Sequence, residues 1–184
     1  SPIYGLSIDL KIGILRNVNL KKVSISISET NYSLKTNNKN LLNNINESTE
    51  LQVSFKNGKV ALTVDNKLIG DFDTLKLSGI ESSSGIFKIK GLVPILRRDR
   101  SYYDDLIIFP QKNSLTLVNL VDFEKYIVGV LESEVGKGQS KDFYKVHSII
   151  SRTYALKNQY KFIHEGFNLT DLVNCQVYKG YIYK

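Results

Sequence analysis

The spacing of apolar residues changes period once along this chain, near residue 122, and that change limits the folds open to it. Before it the period is two. Leu6, Ile8, Leu10, Ile12 and Ile14 alternate with Ser7, Asp9, Lys11 and Gly13, the pattern of a strand with one face buried. Val23, Ile25 and Ile27 alternate with serines in the same way. Leu51, Val53 and Phe55 meet Val60, Leu62 and Val64 across Asn57-Gly58, a dipeptide that accepts the positive φ of a type I′ turn, so a hairpin is expected there. Further strands are expected over 74–78, 86–90, 104–109 and 115–121. The six asparagines between Thr36 and Ser48 predict an exposed, mobile loop.

After Asp122 the period becomes helical. Phe123, Tyr126, Ile127, Val130 and Leu131 fall on one face, Asp122 is placed to cap the N-terminus, and Gly136 and Gly138 end the helix. A second helix is expected from about 141 to 161, starting at Ser140 or Asp142. Its inward face would carry Phe143, Val146, Ile150 and Tyr154, with Ile149 and Thr153 beside them. Glu165-Gly166 closes the pair. Many strands followed by helices argue for an α+β fold, β-rich in its first two thirds and ending in two packed helices. The corresponding division is a β-rich region over 1–112 and a second unit over 113–184.

Composition removes several alternatives. The 184 residues are 42% hydrophobic and 23% charged, which excludes wholesale disorder. One cysteine, Cys175, excludes an internal disulfide and a Cys-rich zinc module. No apolar run is long enough for a membrane-spanning helix. The 25 Lys+Arg against 18 Asp+Glu give +7, a charge that suits an anionic partner such as nucleic acid, anionic lipid or an acidic wall polymer. Its densest patch is Arg97, Arg98 and Arg100. Helix-turn-helix, RRM and zinc-finger patterns are missing, so nucleic acid is not the expected partner. The chain begins at Ser1 and contains no methionine, which predicts that an initiator, and with it a signal or anchor, has been removed.

One residue is out of keeping with its position. The spacing that gives Val130 and Leu131 continues to Glu134, so a carboxylate stands at the end of an apolar stripe and near a helix C-terminus. Desolvation and the macrodipole would both raise its pKa, as a general acid requires. The alternative is that the last turn carries Glu134 to solvent or into an ion pair with the second helix.

The stretch from Tyr126 to Glu134, Tyr-Ile-Val-Gly-Val-Leu-Glu-Ser-Glu, resembles the YxxGVxxxE signature of the SpoIID/LytB family. The stretch from Tyr144 to Lys157 is similar to that family's LKAQAVAARTYAL helix, and Asp171 to Gly180 resembles its CDxxHCQVYxG segment. The resemblance covers roughly 118–180. It implies an exported enzyme of the bacterial cell envelope, a lytic transglycosylase that cuts peptidoglycan glycan strands between N-acetylmuramic acid and N-acetylglucosamine and leaves a 1,6-anhydro product. It implies Glu134 as the single acid and base, glycan strands stripped of stem peptides as substrate, and a wall amidase as companion. The other implied role of the family is a non-catalytic module that binds wall or enhances the amidase.

The resemblance also implies roles for further residues. Arg152 would orient Glu134 or bind a sugar carboxyl, against the alternative of a solvated arginine. Tyr154 would contact sugar or pack in the core. Gln176 and Tyr178 would line the cleft, or Tyr178 would be buried on a strand. Some relatives hold zinc through the Cys and His of the last motif and an upstream His. Here those positions read Thr170 and Asn174, leaving Cys175 and His164, too few for a four-coordinate ion. No metal or other cofactor is expected, and His147 is expected to be packed. The family domain continues beyond its CQVYxG motif, so the chain reads as cut short at Lys184.

Overall fold

A computed structural model describes residues 8–37, 39–80, 85–90 and 98–182. Leu6, Ser7, Asn38 and Arg97, named above, lie outside the described residues. Among the described residues twelve strands precede two helices and a short thirteenth strand follows them, so the fold is α+β with a β-rich first two thirds. The seven-stranded sheet runs β13(Leu169–Thr170), β1(Asp9–Ile14), β12(Ser114–Asp122), β11(Asp105–Gln111), β8(Leu75–Gly79), β3(Tyr32–Thr36) and β4(Lys39–Ile45). The six-stranded sheet runs β10(Arg100–Tyr103), β9(Ile86–Ile89), β2(Lys22–Ser28), β5(Leu51–Lys56), β6(Lys59–Val64) and β7(Lys67–Phe72).

The period-2 reading holds within β1 and β2, but not at Ile8, which precedes β1 and is 45% exposed. Leu10 and Ile12 of β1 are buried while Asp9 and Lys11 are exposed, and Val23, Ile25 and Ile27 of β2 are buried. β5 and β6 form the hairpin, with Asn57 at φ 49° and Gly58 at φ 76° as a type I′ turn demands. The two sheets contribute to one buried cluster.

The asparagine-rich segment is a strand rather than a loop. β4 pairs antiparallel with β3 through two register shifts, and Asn44 takes φ 63°. Asparagine tolerates that conformation, so here it serves an irregular edge strand. β3, β7 and β10, which the sequence did not suggest, are short or lie near sheet edges. The 112/113 division falls in the β11–β12 turn, and strands from both sides share the larger sheet. β1 lies between β12, with which it is antiparallel, and β13, with which it is parallel.

Helix α1(Phe123–Glu134) begins where expected: the Asp122 carboxylate accepts the N–H groups of Glu124 at 2.9 Å and Lys125 at 3.1 Å. Phe123, Tyr126, Ile127 and Val130 are buried, as the stripe requires. Gly136 at φ 73° turns the chain away from the helix axis. Ser140 caps α2(Lys141–Asn158) by accepting Phe143 N–H at 3.2 Å.

The face of α2 is a correction. Phe143, Val146, Ile149 and Ile150 are exposed, and the buried residues are Ser151 and Ala155. Small side chains let the helix lie close to its neighbour, so the wide apolar stripe is left outside. The helices are antiparallel: Tyr144 donates to Gly136 O at one end, and Arg152 bridges to Glu124 at the other.

Candidate functional site

The C-terminal turn of α1 is held by the chain end through side chains rather than a ladder. Glu134 Oε1 accepts the N–H of Val177 at 2.8 Å, Ser133 Oγ accepts that of Lys179 at 3.0 Å, and Glu132 Oε2 accepts that of Ile182 at 3.1 Å. Ser133 in turn donates to Gly129 O at 2.6 Å. Three successive residues of one helix turn thus satisfy backbone donors that belong to no sheet.

Glycine makes this approach feasible. A Cβ on Gly129 would lie 2.5 Å from the Tyr178 ring and 3.1 Å from Gly180 O. Tyr178 therefore rests on the bare backbone of α1, its ring 5.0 Å from that of Tyr126. Its hydroxyl donates to Asn119 Oδ1 at 2.8 Å, and Asn119 Nδ2 donates to Tyr103 O at 2.7 Å and Asp105 O at 3.1 Å. Burial pushes the Tyr178 phenol well above its ordinary pKa, so it is a fixed neutral donor. Tyr126 donates to Gln176 Oε1 at 3.3 Å on the other side of the same ring pair.

Glu134 itself is exposed. The apolar stripe ends at Leu131, and the chain turns off at Gly136. Among the described residues Val177 is its hydrogen-bond partner, through Oε1. Two residues earlier on the helix, desolvation raises the pKa of Glu132, opposed by the Ile182 N–H and the Lys137 ammonium. Glu132 borders a groove of about 400 Å³ formed with Val128, Leu131, Lys137 and Tyr144.

The other expected site residues sit apart from Glu134. Gln176 and Tyr178 are buried, because their polar ends are consumed by Tyr126 and Asn119, so neither lines a cleft. Their role here is to set the position of Val177 between them. Tyr154 is half-buried and donates to Asn174 O at 3.1 Å. Arg152 is paired with Glu124 rather than with Glu134: Nε reaches Oε1 at 3.0 Å, and this hydrogen bond lowers the Glu124 pKa. Glu124 lies ten residues before Glu134, about 15 Å along the helix. The pair is exposed, so Arg152→Ala is expected to change unfolding free energy by less than about 1 kcal/mol in urea denaturation.

Sequence reasoning passed over Asp171. Its side chain is buried; Oδ2 accepts Leu15 N–H at 2.7 Å, Oδ1 accepts Arg16 N–H at 3.4 Å, and Arg100 Nη1 stands 3.6 Å away. Desolvation raises its pKa despite these partners. It ties the last motif to the end of β1. An acidic residue opening that motif was visible; its partners at the far end of the chain were not.

Thr170 Oγ1 donates to Asn174 Oδ1 at 3.2 Å, so the two positions where zinc-bearing relatives place Cys and His are bonded to each other. Cys175 is buried, His164 is exposed beside Glu165, and no group of three or more potential ligands occurs among the described residues. These residues do not fit a structural zinc. His147 packs its ring against Phe143, with centroids 4.3 Å apart.

A carboxylate presented on a helix end by a Gly-Tyr-Gly packing unit, within an α+β fold, defines a class of sheet-backed, two-helix domain with one candidate acidic site. Residues 111–183 match the SpoIID family model, described as stage II sporulation protein. The chain is also similar to an uncharacterized protein of Brachyspira hyodysenteriae, at 23% identity over 171 residues, covering 89% of this chain and 43% of the relative. It thus spans less than half the length of that curated relative. No solved structure matches it. No helix among the described residues is long and apolar enough to cross a membrane.

Proposed function

We propose that this chain acts on peptidoglycan as a lytic transglycosylase, with Glu134 as its single acid and base. The observation that carries the proposal is the Glu134 carboxylate: its Oε1 accepts the Val177 N–H, the residue is exposed, and both residues lie in the matched segment 111–183. In the reaction Glu134 donates a proton to the glycosidic oxygen as the bond to the muramic C1 breaks. The resulting carboxylate then takes the proton of the muramic C6 hydroxyl as that oxygen closes on C1. An intramolecular nucleophile removes the need for the second carboxylate that ordinary glycosidases carry. This agrees with the neighbours, since Glu132 is occupied by Ile182 N–H and Glu124 by Arg152. The substrate is the glycan strand, with stem peptides removed beside a wall amidase, and the setting is the cell envelope, reached by export. The +7 charge suits an anionic wall.

The test is the release of 1,6-anhydromuramic ends from peptide-free glycan strands. Glu134→Gln keeps an oxygen to accept the Val177 N–H, so the fold is retained while proton transfer is lost. Cleavage is expected to fall by a factor of about 10² or more; cleavage at the parent rate would remove Glu134 from the mechanism. A second reading, a non-catalytic wall-binding or amidase-enhancing module, is favoured by the burial of Gln176 and Tyr178, which leaves Glu134 on an open surface. It predicts glycan or amidase binding that Glu134→Gln leaves unchanged.

A further inference from the structure

The outward face of α2 is apolar along most of its length, and nothing among the described residues covers it. Phe143, Val146, Ile149, Ile150 and Leu156 are each at least 41% exposed. They form a stripe about 20 Å long at 1.5 Å per residue. A helix of a folded domain normally turns such a stripe inward, and a contiguous exposed one marks an interaction surface.

The order of residues on this face says what covers it. About the midpoint between Ile149 and Ile150 the face is its own mirror. Val146 corresponds to Thr153, Phe143 to Leu156, and Asp142 to Lys157. Successive members recur at the three- and four-residue steps that keep them on one side of a helix. If two copies of α2 pack antiparallel about a two-fold axis through that midpoint, Ile149 of each copy meets Ile150 of the other. Phe143 meets Leu156, and acidic Asp142 at the N-terminal end of each helix meets basic Lys157 at the C-terminal end of the other. This is the self-complementarity that a two-fold contact requires, residue i touching j while j touches i. Antiparallel helices also set opposite ends of their macrodipoles side by side. Asp142 is engaged locally by Lys145 at 3.0 Å, but both side chains are 72% or more exposed and free to turn outward.

We infer that a second copy of this chain covers the outward face of α2, giving a two-fold dimer in which the α2 helices pack antiparallel. This is independent of the glycan chemistry, since Glu134 is not on the face.

Sedimentation equilibrium over a range of concentrations tests it. The chain is expected to show a monomer–dimer equilibrium with a dissociation constant on the order of 10–100 μM, as suits a one-helix contact smaller than about 800 Å² per partner. Ile150→Lys is expected to raise that constant about tenfold or more, with the circular dichroism spectrum unchanged because the site is exposed in the monomer. Asp142→Lys and Lys157→Asp should each weaken the dimer by a factor of about 3, and their combination should restore it. A chain that stays monomeric to about 1 mM would overturn the proposal. So would a dimer that tolerates Ile150→Lys, or three charge variants that dimerise equally.

Discussion

Gly180→Ala is expected to destabilise the fold by about 3 kcal/mol or more, for two separate reasons. Gly180 adopts φ 79°, where an L side chain is strained by about 1–2 kcal/mol. An added Cβ would also lie 2.1 Å from the carbonyl oxygen of Ser101, and that oxygen cannot move freely because it accepts Tyr181 N–H at 2.7 Å. The contact is with backbone, so either β10 or the 177–182 segment must shift. In thermal unfolding the loss corresponds to a fall of roughly 6–12 °C. The same shift removes the Val177 N–H from Glu134, so glycan cleavage should fall along with stability. A melting temperature within about 2 °C of the parent would show that the close approach is not maintained in solution.

Asp171→Ala is the second large expected effect, again about 3 kcal/mol. The substitution leaves the Leu15 N–H without its acceptor at a site where Leu15 is itself at φ 56°, and it leaves Arg100 without its counter-ion. Both consequences fall where β1 joins β13, so the docking of the last motif on the first strand loosens. Titration gives a second handle. The folded-state pKa of Asp171 is raised, chiefly by desolvation. The fold therefore favours the protonated form. The pH-dependent part of its contribution is fully present below the unfolded pKa of about 3.9 and is lost as pH rises through the folded value, while the Leu15 hydrogen bond and the Arg100 contact remain. Urea denaturation of the parent and of Asp171→Asn, compared at several pH values, should show the parent's advantage shrinking upward from pH ~4. An advantage that grew with pH would reverse the assigned sign.

These two residues and Gly129 explain the spacing of the motifs. In the first motif, Gly129 leaves room for the ring of Tyr178 from the last; in the last, Gly180 leaves room for β10. With both gaps present, Val177 lies where its N–H meets Glu134. Val130 stands four positions, one helical turn, after Tyr126, so Tyr126 can pack on Tyr178 while the helix continues to the carboxylate.

Much of this was legible in the order of residues. The alternation in β1 and β2, the Asn57-Gly58 turn, the Asp122 cap and the buried stripe of α1 are all local, and a few neighbouring residues suffice to specify them. The position of Glu134 at the end of that stripe was legible for the same reason. Its exposure was left open, because spacing alone allowed the last turn either to continue the stripe or to carry the carboxylate to solvent, and the structure takes the second course. Period alone also could not choose the inward face of α2, where the small residues Ser151 and Ala155 won over the larger stripe because they permit closer approach. Nor could it place β1 between β12 and β13, or set Asp171 on Leu15 across 156 residues. Sequence by itself determined the two helices, the strands of strong alternation and the Asn57-Gly58 hairpin, since these follow from interactions within one turn or one hairpin. The tertiary structure alone decided which faces meet and which donors each carboxylate receives, since those depend on surfaces that come together only when distant segments have folded.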